Sequence, residues 1–189
     1  MTDEVALEPI SDADWPEDIA DMLGGFAGGL NVYRTMAHHP DLLRAWTDLR
    51  EHVVNRNVLG RQRTEVVILR TGHRLGSSYE WHQHVVRGRK YGLGDARIDR
   101  IRGPVAAMPP EDAVLAQAVD ELYDAGGLTR ATVQSLTRAV GTKGVFDLMA
   151  TVGFYSTLGF ILNSFGTPLD DDIQAELDSA PFQPGDAGA

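Results

Sequence analysis

Apolar residues recur at helical spacing along most of this chain. An α-helix turns once every 3.6 residues or so, and residues three or four apart therefore lie on one face. Three segments show this spacing: Leu42, Trp46, Leu49 and Val53, then Val114, Leu115, Ala118, Val119 and Leu122, then Val145, Leu148, Met149, Val152, Tyr155 and Leu162. No segment shows the strict alternation of a half-buried strand. The pattern predicts an all-α bundle.

Proline and glycine separate these periodic segments at intervals that suit ordinary helices. The breaks fall at Pro40, Gly60, Gly92 with Gly94, Gly103-Pro104, Pro109-Pro110, Gly126-Gly127 and Gly166 with Pro168. Asp41 and Thr129 stand near two predicted helix starts, where a short polar side chain can accept hydrogen bonds from free backbone N–H groups.

The longest apolar stretch, residues 144–162 (GVFDLMATVGFYSTLGFIL), approaches the length of a membrane span. It contains Asp147, three glycines and several hydroxyl residues, and it lacks flanking basic anchors. These features favour a buried core helix over a transmembrane one. The first 22 residues are acidic and have neither the basic nor the apolar region of a secretory signal, so we expect a cytoplasmic protein without a membrane partner.

The pattern suggests one helical domain with two appendages. We assign residues 1–30 to an acidic N-terminal extension, residues 31–169 to the helical domain and residues 170–189 to a C-terminal tail. The tail has low apolar content and ends in Pro, Gly and Ala, so its last ten residues are predicted to lack fixed structure. No site is expected in the tail.

Composition excludes several classes of function. The 189 residues include no cysteine, which rules out disulfides, thiolate metal sites and thiol redox cycles. The net charge is −10, and no nucleic-acid motif is present, so a nucleic-acid partner is not expected. Residues 44–102 nevertheless hold 13 Lys/Arg against 6 Asp/Glu. Those arginines could bind an anionic small molecule, or they could be solvated and pair with acidic segments of the protein.

The clearest candidate for chemistry is a Glu–His pair on the helix predicted from residue 78 to residue 91. At about 100° per residue, Glu80, Trp81 and His84 share one face, and His82 points away from it. Glu80 and His84 are four residues apart, so each can perturb the protonation of the other, as general acid–base catalysis requires. The alternative is a structural ion pair, but the neighbouring Trp81 favours a buried or cleft position.

A metal site is less well supported by the same segment. His82 and His84 resemble a His-x-His ligand pair, but on a helix they diverge by about 200° and cannot bind one ion together. Glu80 and His84 could supply two ligands, and the sequence offers no evident third.

Three segments resemble the carboxymuconolactone decarboxylase family, which includes the AhpD-like alkylhydroperoxidases. They are NVYRTMAHHPDLLRAW from Asn31, RQRTEVVILRTGHRLGSSYEWHQH in the centre, and VGFYSTLGFILNSFGTPL near the end. The AhpD-like branch carries a Glu, eleven residues, Cys, two residues, Cys, three residues and His. This chain matches at Glu65 and His84, and it has Ser77 and Glu80 at the cysteine positions. It therefore resembles a branch without the redox pair.

The resemblance implies a helical homo-oligomer, commonly a trimer or hexamer, and it points to the decarboxylase branch. Its implied chemistry is cofactor-independent: a small carboxylated lactone or aromatic-degradation product loses CO2, and the resulting dienolate is protonated. The implied catalytic residues are His84, Glu80 and Glu65. The candidate substrate-binding residues are Ser77, Trp81, Arg70, Arg74 and Arg87, and the sequence does not choose among the arginines. The alternative is a non-catalytic oligomeric binding protein that kept the fold after losing its thiols.

Overall fold

The computed structural model describes residues 7–184, which form a bundle of helices without a strand. The predicted all-α class is confirmed. The α-helices are α1 (Asn31–Met36), α2 (Pro40–Glu51), α3 (Arg61–Leu75), α4 (Ser78–Lys90), α5 (Asp95–Arg102), α6 (Pro110–Ala125), α7 (Arg130–Phe165) and α8 (Asp171–Ser179). Glu17–Met22 and Val105–Ala107 form short 3-10 turns, and His52–Arg56 forms one π-helical segment after α2.

Helix α3 is the centre of the bundle. Every residue from Thr64 to Gly72 is buried, and α3 packs against α4, α5, α6 and α7. Ile68 belongs to an apolar cluster shared with α1, α2 and the second half of α7, while Val67 and Leu69 join a cluster formed with α4, α5 and α6. A helix surrounded in this way is apolar on most sides, and the ionisable side chains that it carries are forced into the interior.

Most helix boundaries follow the signals in the sequence, but His39 and not Asp41 caps α2, since its Nδ1 accepts from the backbone N–H of Leu42. Pro40 is the first residue of α2, where its missing N–H costs no hydrogen bond. The Thr129 side chain accepts a hydrogen bond from the backbone N–H of Thr132 and caps α7. Gly166 ends α7 in the left-handed region, with φ 62°.

The buried face of α2 differs from the one that the spacing predicted. Leu42 and Leu49 are 37% and 42% exposed, whereas Leu43 is fully buried. The core-facing positions are Leu43, Trp46, residue 50 and Val53. The prediction missed this face because position 50 is an arginine, which breaks the apolar stripe.

Helix α7 is long and apolar enough to cross a membrane by length and composition alone, and it is the one helix of the described part of the chain with this property. In the most apolar 18-residue window of α7, 56% lies inside the protein, as expected of the predicted core helix. The helix is broken at Gly141, which has φ 72°, and its second half carries Leu148, Phe154 and Leu158 into the core.

The regions assigned to the two appendages contact the bundle wherever the structure describes them. Ile19 and Met22 are buried in the cluster around α1 and α2. Residues 171–179 form α8, which packs on α4. The predicted division at residues 30 and 169 remains a prediction. Residues 1–6 and 185–189, which include part of the tail predicted to lack fixed structure, lie outside the described residues.

Candidate active site

A tight turn between α3 and α4 builds the site. Gly76 ends α3 with φ 61°, a conformation that suits glycine, and the backbone N–H of Ser77 donates to the carbonyl of Gly72 at 2.9 Å. Gly72 also allows close packing of the two helices, since a Cβ at this position would lie 3.3 Å from the Cβ of Glu80. The two helices consequently fold back on each other, and side chains from both meet in the interior.

His84 lies between two carboxyl groups. Its Nδ1 is 2.6 Å from Oε2 of Glu65 on α3, and its Nε2 is 3.5 Å from Oε2 of Glu80 on its own helix. All three side chains are at most 4% exposed. The structure therefore brings the three sequence-predicted catalytic residues together. It also makes Glu65 the closer partner of the imidazole, whereas the sequence argument gave Glu80 the tuning role.

Glu80 is buried without full hydrogen bonding. Its Oε1 has no hydrogen-bond partner among the described residues. The pKa of Glu80 is raised to about 8, mainly by burial; the nearby Arg87 lowers it, and Glu65 and Asp170 raise it. Near neutral pH, Glu80 is therefore largely a protonated acid and not a carboxylate.

Two tyrosines complete the wall around His84. The ring of Tyr155 on α7 meets the imidazole edge to face, with 5.0 Å between ring centres. Burial raises the pKa of Tyr155 well above its usual value, and burial raises that of Tyr33 on α1 to about 12. Both phenols consequently keep their protons at physiological pH.

Two cavities adjoin this cluster. The outer cavity has a volume of about 210 Å³ and is bordered by Asn55, Asn57, Thr64 and other residues around Glu65. The inner cavity, of about 30 Å³, is bordered by Glu80 and His84. Val54, Arg87 and Tyr155 line both cavities and therefore lie at their junction. The volume of the outer cavity suits a small molecule, and the inner one admits only a small group.

The three candidate arginines have different surroundings. Arg70 is buried against α6, where Asp120 accepts hydrogen bonds from its Nε and Nη2 at 2.9 and 2.6 Å. Arg74 lies nearer the surface and pairs with Asp124. Neither lines the cavities beside His84. Arg87 lines both.

Ser77 and Trp81 border a different hollow. The Ser77 hydroxyl is buried and has no hydrogen-bond partner among residues 7–184. Ser77 and Trp81 line an open depression of about 340 Å³ together with Arg102 and Phe182. The Arg102 guanidinium lies 5.1 Å from the centre of the Trp81 ring. As substrate-binding residues, Ser77 and Trp81 would thus act outside the two cavities.

The sequence did not predict two residues that shape the inner cavity, one behind its wall and one in it. Asp170, in the segment where no site was expected, is buried and accepts hydrogen bonds from Tyr79, Gln83 and the backbone N–H of Asn31. It fixes the α4 residues that line the cavity. Arg50 of α2 is the second, and its core-facing position among apolar residues is the signal that could have identified it.

No cluster of three or more His, Asp or Glu side chains arranged to hold a metal ion occurs within the described residues. His82 lies apart from His84, with its Nδ1 3.1 Å from the Ser78 hydroxyl at the protein surface. The arrangement around His84 is suited to moving a proton between buried groups. It offers a hydrogen-bonded imidazole, a neutral acid and a guanidinium beside an open volume.

Comparison with known proteins agrees with this arrangement. The model of the carboxymuconolactone decarboxylase family matches residues 40–120, the stretch that contains Glu65, Glu80 and His84. The resemblance inferred from the sequence is thereby confirmed, in a chain without cysteine. A search of curated proteins gave no match.

Solved structures support the same fold. An AhpD-core, peroxidase-related protein from Ralstonia eutropha JMP134 is 18% identical, with a TM-score of 0.74, and the alignment covers 88% of this chain and 94% of that one. A peroxidase-related protein from Silicibacter sp. TM1040 is 13% identical, with a TM-score of 0.72 and coverage of 91% and 95%. The debrominase Bmp8 in complex with 2,3,4-tribromopyrrole is 12% identical, with a TM-score of 0.70 and coverage of 92% and 96%. The fold is therefore AhpD-like.

Proposed function

We propose that this protein is a cofactor-independent acid–base enzyme, a carboxy-lyase that acts on a small carboxylated lactone or a related product of aromatic degradation. The observation that carries the proposal is the buried Glu65–His84–Glu80 cluster beside a cavity of about 210 Å³. Three ionisable groups are costly to bury, and such clusters are concentrated at catalytic sites. The family match at residues 40–120 supports the same class of reaction.

The contacts define a direction for proton transfer. The Glu65 carboxylate accepts a hydrogen bond from Nδ1–H of His84, which leaves the lone pair of Nε2 directed at Glu80. Glu80, whose pKa is raised to about 8 by burial, holds a proton that it can give to a substrate at the inner cavity. His84 can return a proton to Glu80 through Nε2, and the Glu65 carboxylate stabilises the imidazolium that exists during this exchange.

Decarboxylation needs this proton at one step. The bond between the substrate carbon and its carboxylate breaks, CO2 leaves, and the bonding electron pair passes into the conjugated carbonyl to give a dienolate. The proton of Glu80 then forms the new C–H bond. A cation paired with the leaving carboxylate would stabilise its charge and oppose loss of CO2. Arg87 should therefore contact either the carbonyl oxygen that gains charge in the dienolate or a second carboxylate that the product retains.

Thiol-based peroxide reduction is not part of this proposal. The chain has no cysteine, and Ser77 and Glu80 stand where the AhpD-like branch has its two thiols. Without a thiolate no attack on an O–O bond of this type can occur. We expect no thiol-type turnover of organic hydroperoxides.

A non-catalytic binding protein is the second candidate, and the surroundings of Arg87 favour it. This guanidinium borders both cavities and has no ion-pair partner among residues 7–184, so it could hold an anion without any reaction. The two candidates differ in Glu80, since only an enzyme needs a protonated acid at that position.

The test is a turnover assay with carboxylated five-membered lactones in D2O, followed by NMR. The proposal expects release of CO2 and one deuteron at the carbon that lost the carboxylate. Glu80→Gln should remove this activity while ligand affinity stays within a few-fold, because the amide keeps the shape but cannot donate an acidic proton. Saturable binding of these lactones without any CO2 release would favour the binding protein.

We also propose that the chain forms a homo-oligomer in the cytoplasm, with a small anionic molecule as its ligand and no nucleic-acid or membrane partner. Phe146 and Phe160 of α7 support self-association, since they are 69% and 57% exposed on the same side of an apolar helix. Light scattering should give a mass above that of the 20.6 kDa chain. A monomer at all concentrations would contradict this assembly.

A further inference from the structure

We propose that the inner cavity is a carboxylate-binding subsite formed by Arg50 and Arg87. Arg50 reaches it from α2 and Arg87 from α4, and both line the cavity of about 30 Å³ beside Glu80 and His84. The identity of the whole substrate rests on the function proposed above, but occupancy of this subsite by a carboxylate does not.

Arg50 occupies a position that would normally be apolar. It follows Leu43 and Trp46 on the core-facing side of α2, and its side chain is only 16% exposed. Its guanidinium lies 4.4 Å from the centre of the Phe26 ring. An arginine among core residues costs side-chain entropy and desolvation, so its position needs a compensating partner.

The protein compensates the charge of Arg50 only in part, through the Phe26 ring and the hydroxyl of Tyr33. Its Nε is buried without a hydrogen-bond partner among the described residues. Its nearest carboxylate is that of Glu51, with 3.7 Å between Nη1 and Oε2, beyond hydrogen-bond distance. A buried donor that remains unpaired costs about 1–3 kcal/mol. A bound acceptor would remove that cost.

Arg87 presents the same situation from the opposite helix. It is half-buried, and no side chain among residues 7–184 forms an ion pair with it. Two guanidinium groups at one small cavity repel each other, and an anion between them converts that repulsion into attraction. The cavity therefore has the charge of an anion site.

The other ionisable groups at the cavity do not neutralise this charge. Glu80 is protonated near neutral pH, and Glu65 is engaged by His84. Asp170 accepts from Tyr79 and Gln83. No carboxylate of the described residues is thus left to occupy the space between the two arginines.

The size of the cavity selects the ligand group. A water molecule needs about 10–15 Å³ of such volume, so about 30 Å³ admits two or so oxygen atoms. A carboxylate has two oxygens and accepts paired hydrogen bonds from guanidinium groups. The remainder of the ligand would extend past Arg87 into the outer cavity. A carboxylate anchored in this way keeps its charge, so it is retained during the reaction.

The test measures binding of acetate, with acetamide as the neutral molecule of the same shape. Calorimetric titration at constant ionic strength should show saturable binding of acetate and none of acetamide. Arg50→Met and Arg87→Met should each weaken acetate binding by at least about tenfold, since each removes charge-assisted hydrogen bonds. Arg56→Met is the matched control, because Arg56 is exposed, pairs with Glu51 and does not line the cavity.

Arg50→Lys keeps the charge but loses the planar fork, so it should bind acetate with intermediate affinity. Equal affinity for acetate and acetamide, or unchanged acetate binding in Arg50→Met, would overturn the subsite. If either methionine variant does not fold, a crystal structure of the unaltered protein grown in acetate decides, because the inference requires acetate between Arg50 and Arg87 and is refuted by an empty cavity.

The outcome is separable from that of the proposed lyase activity. Acetate binding that depends on both arginines, in a protein that releases no CO2 from any lactone, would keep the subsite and remove the lyase. Turnover of a lactone that carries a second carboxylate, with an unaltered KM in Arg50→Met, would keep the lyase and remove the subsite.

Discussion

Helix α3 buries ionisable side chains on two sides, and the two sides are organised differently. Toward α6, Arg70 pairs with Asp120 through two hydrogen bonds and donates further to the carbonyls of Ile101 and Gly103. Toward α4, Glu65 holds His84, but the network continues to Glu80, whose Oε1 has no partner among the described residues. We call the side toward α6 the closed side, because its buried charges have partners within the protein. We call the side toward α4 the open side, because an unpaired oxygen of Glu80 lies there beside a cavity.

The difference between the two sides helps to distinguish buried charges with a structural role from buried charges with a functional role. Burial is nearly the same on both sides, with Arg70 at 7% and Glu65 at 3% exposure, so burial alone does not identify the site. What differs is whether every donor and acceptor has a partner within the protein. A satisfied buried pair is compatible with a purely structural role, whereas an unsatisfied group lowers stability and persists where a ligand or a reaction uses it.

The largest effect expected from this comparison is on turnover. Replacement of His84 by Gln or Ala should lower kcat by about 10²–10⁴-fold, the usual contribution of general acid–base catalysis. His82→Ala should leave kcat unchanged, because His82 is near the surface and contacts Ser78 instead of the cluster. Steady-state kinetics on a substrate that is turned over measures both.

Two checks distinguish catalysis from structure in this experiment. Circular dichroism should show a folded His84→Gln variant, in which the amide can still donate to Glu65. The pH–rate profile of the residual activity should keep the ionisation near pH 8, because burial causes it and Glu80 is still present, whereas Glu80→Gln should lose it. A fully active His84 variant would make the cluster structural.

The next largest effect should be on stability, and on the closed side. Arg70→Gln leaves the half-buried Asp120 with only the longer contact from Arg74, 3.6 Å between Nη1 and Oδ1, and leaves two carbonyls unpaired. Loss of one partner of a fully buried pair typically costs about 3–5 kcal/mol, and the cost here should approach the lower figure. Arg87→Gln should cost far less, because no carboxylate in the described chain loses its partner. Urea unfolding of both variants at one pH gives the comparison.

Arg74→Gln is the control for that experiment. Arg74 pairs with Asp124, which is 63% exposed, and lies 3.6 Å from Asp120, whose two short hydrogen bonds come from Arg70. A surface pair contributes only about 0–1 kcal/mol, so the loss of Arg74 should cost little. The expected order of destabilisation is Arg70 first, with Arg74 and Arg87 well below it. Equal losses at Arg70 and Arg87 would show that the open side is as structural as the closed one.

The three arginines also show which contacts could not be predicted from the sequence. Arg70, Arg74 and Arg87 fall on two adjacent helices, and spacing places each on a helix face. Arg70 and Arg74, however, pair with carboxylates of α6 that are 50 residues away along the chain, and Arg87 borders the cavities instead. Long-range contacts of this kind depend on how helices pack, which local periodicity does not encode.

Helix type and boundaries were predictable because their causes are local. Pro40, Thr129 and Gly166 act on the backbone within one turn, and each stands where it was expected. The spacing of four residues likewise predicted that Glu80 and His84 lie next to each other on one face of a helix. The distance from His84 to Glu65 depends on the α3–α4 turn at Gly76 and was not readable from spacing.

The sequence did not predict the roles of Arg50 and Asp170, for opposite reasons. Arg50 breaks the apolar stripe of α2, so the stripe was placed on Leu42 and Leu49, which are exposed. Asp170 belongs to a run of acidic residues that usually marks a solvated segment, and tertiary packing buries only that one. In both cases a polar residue in an unexpected environment was the informative feature.

The last expected effect is gradual, since it is spread over several pH units, and it concerns how stability depends on pH on the open side. Burial raises the pKa of Glu80 from 4.5 to about 8, so the folded protein binds this proton more tightly than the unfolded chain does. Below about pH 4.5 both states hold the proton and the burial carries no ionisation cost. Between about pH 4.5 and 8 the free energy of unfolding should fall as pH rises, by at most about 1.4 kcal/mol per pH unit, and then level off.

Glu80→Gln removes this ionisation and keeps the shape of the side chain. Its free energy of unfolding should therefore exceed that of the unaltered protein by an amount that grows from about pH 5 to about pH 8, as measured by urea unfolding across that range. Glu111→Gln, a change of the same kind at the N-terminal end of α6 and away from the cluster, is the matched control. Parallel curves for Glu80→Gln and the unaltered protein would mean that Glu80 is already ionised in the folded state. The open side would then hold a carboxylate that Arg87 or Arg50 neutralises, and the proton for the proposed reaction would have to come from His84 alone.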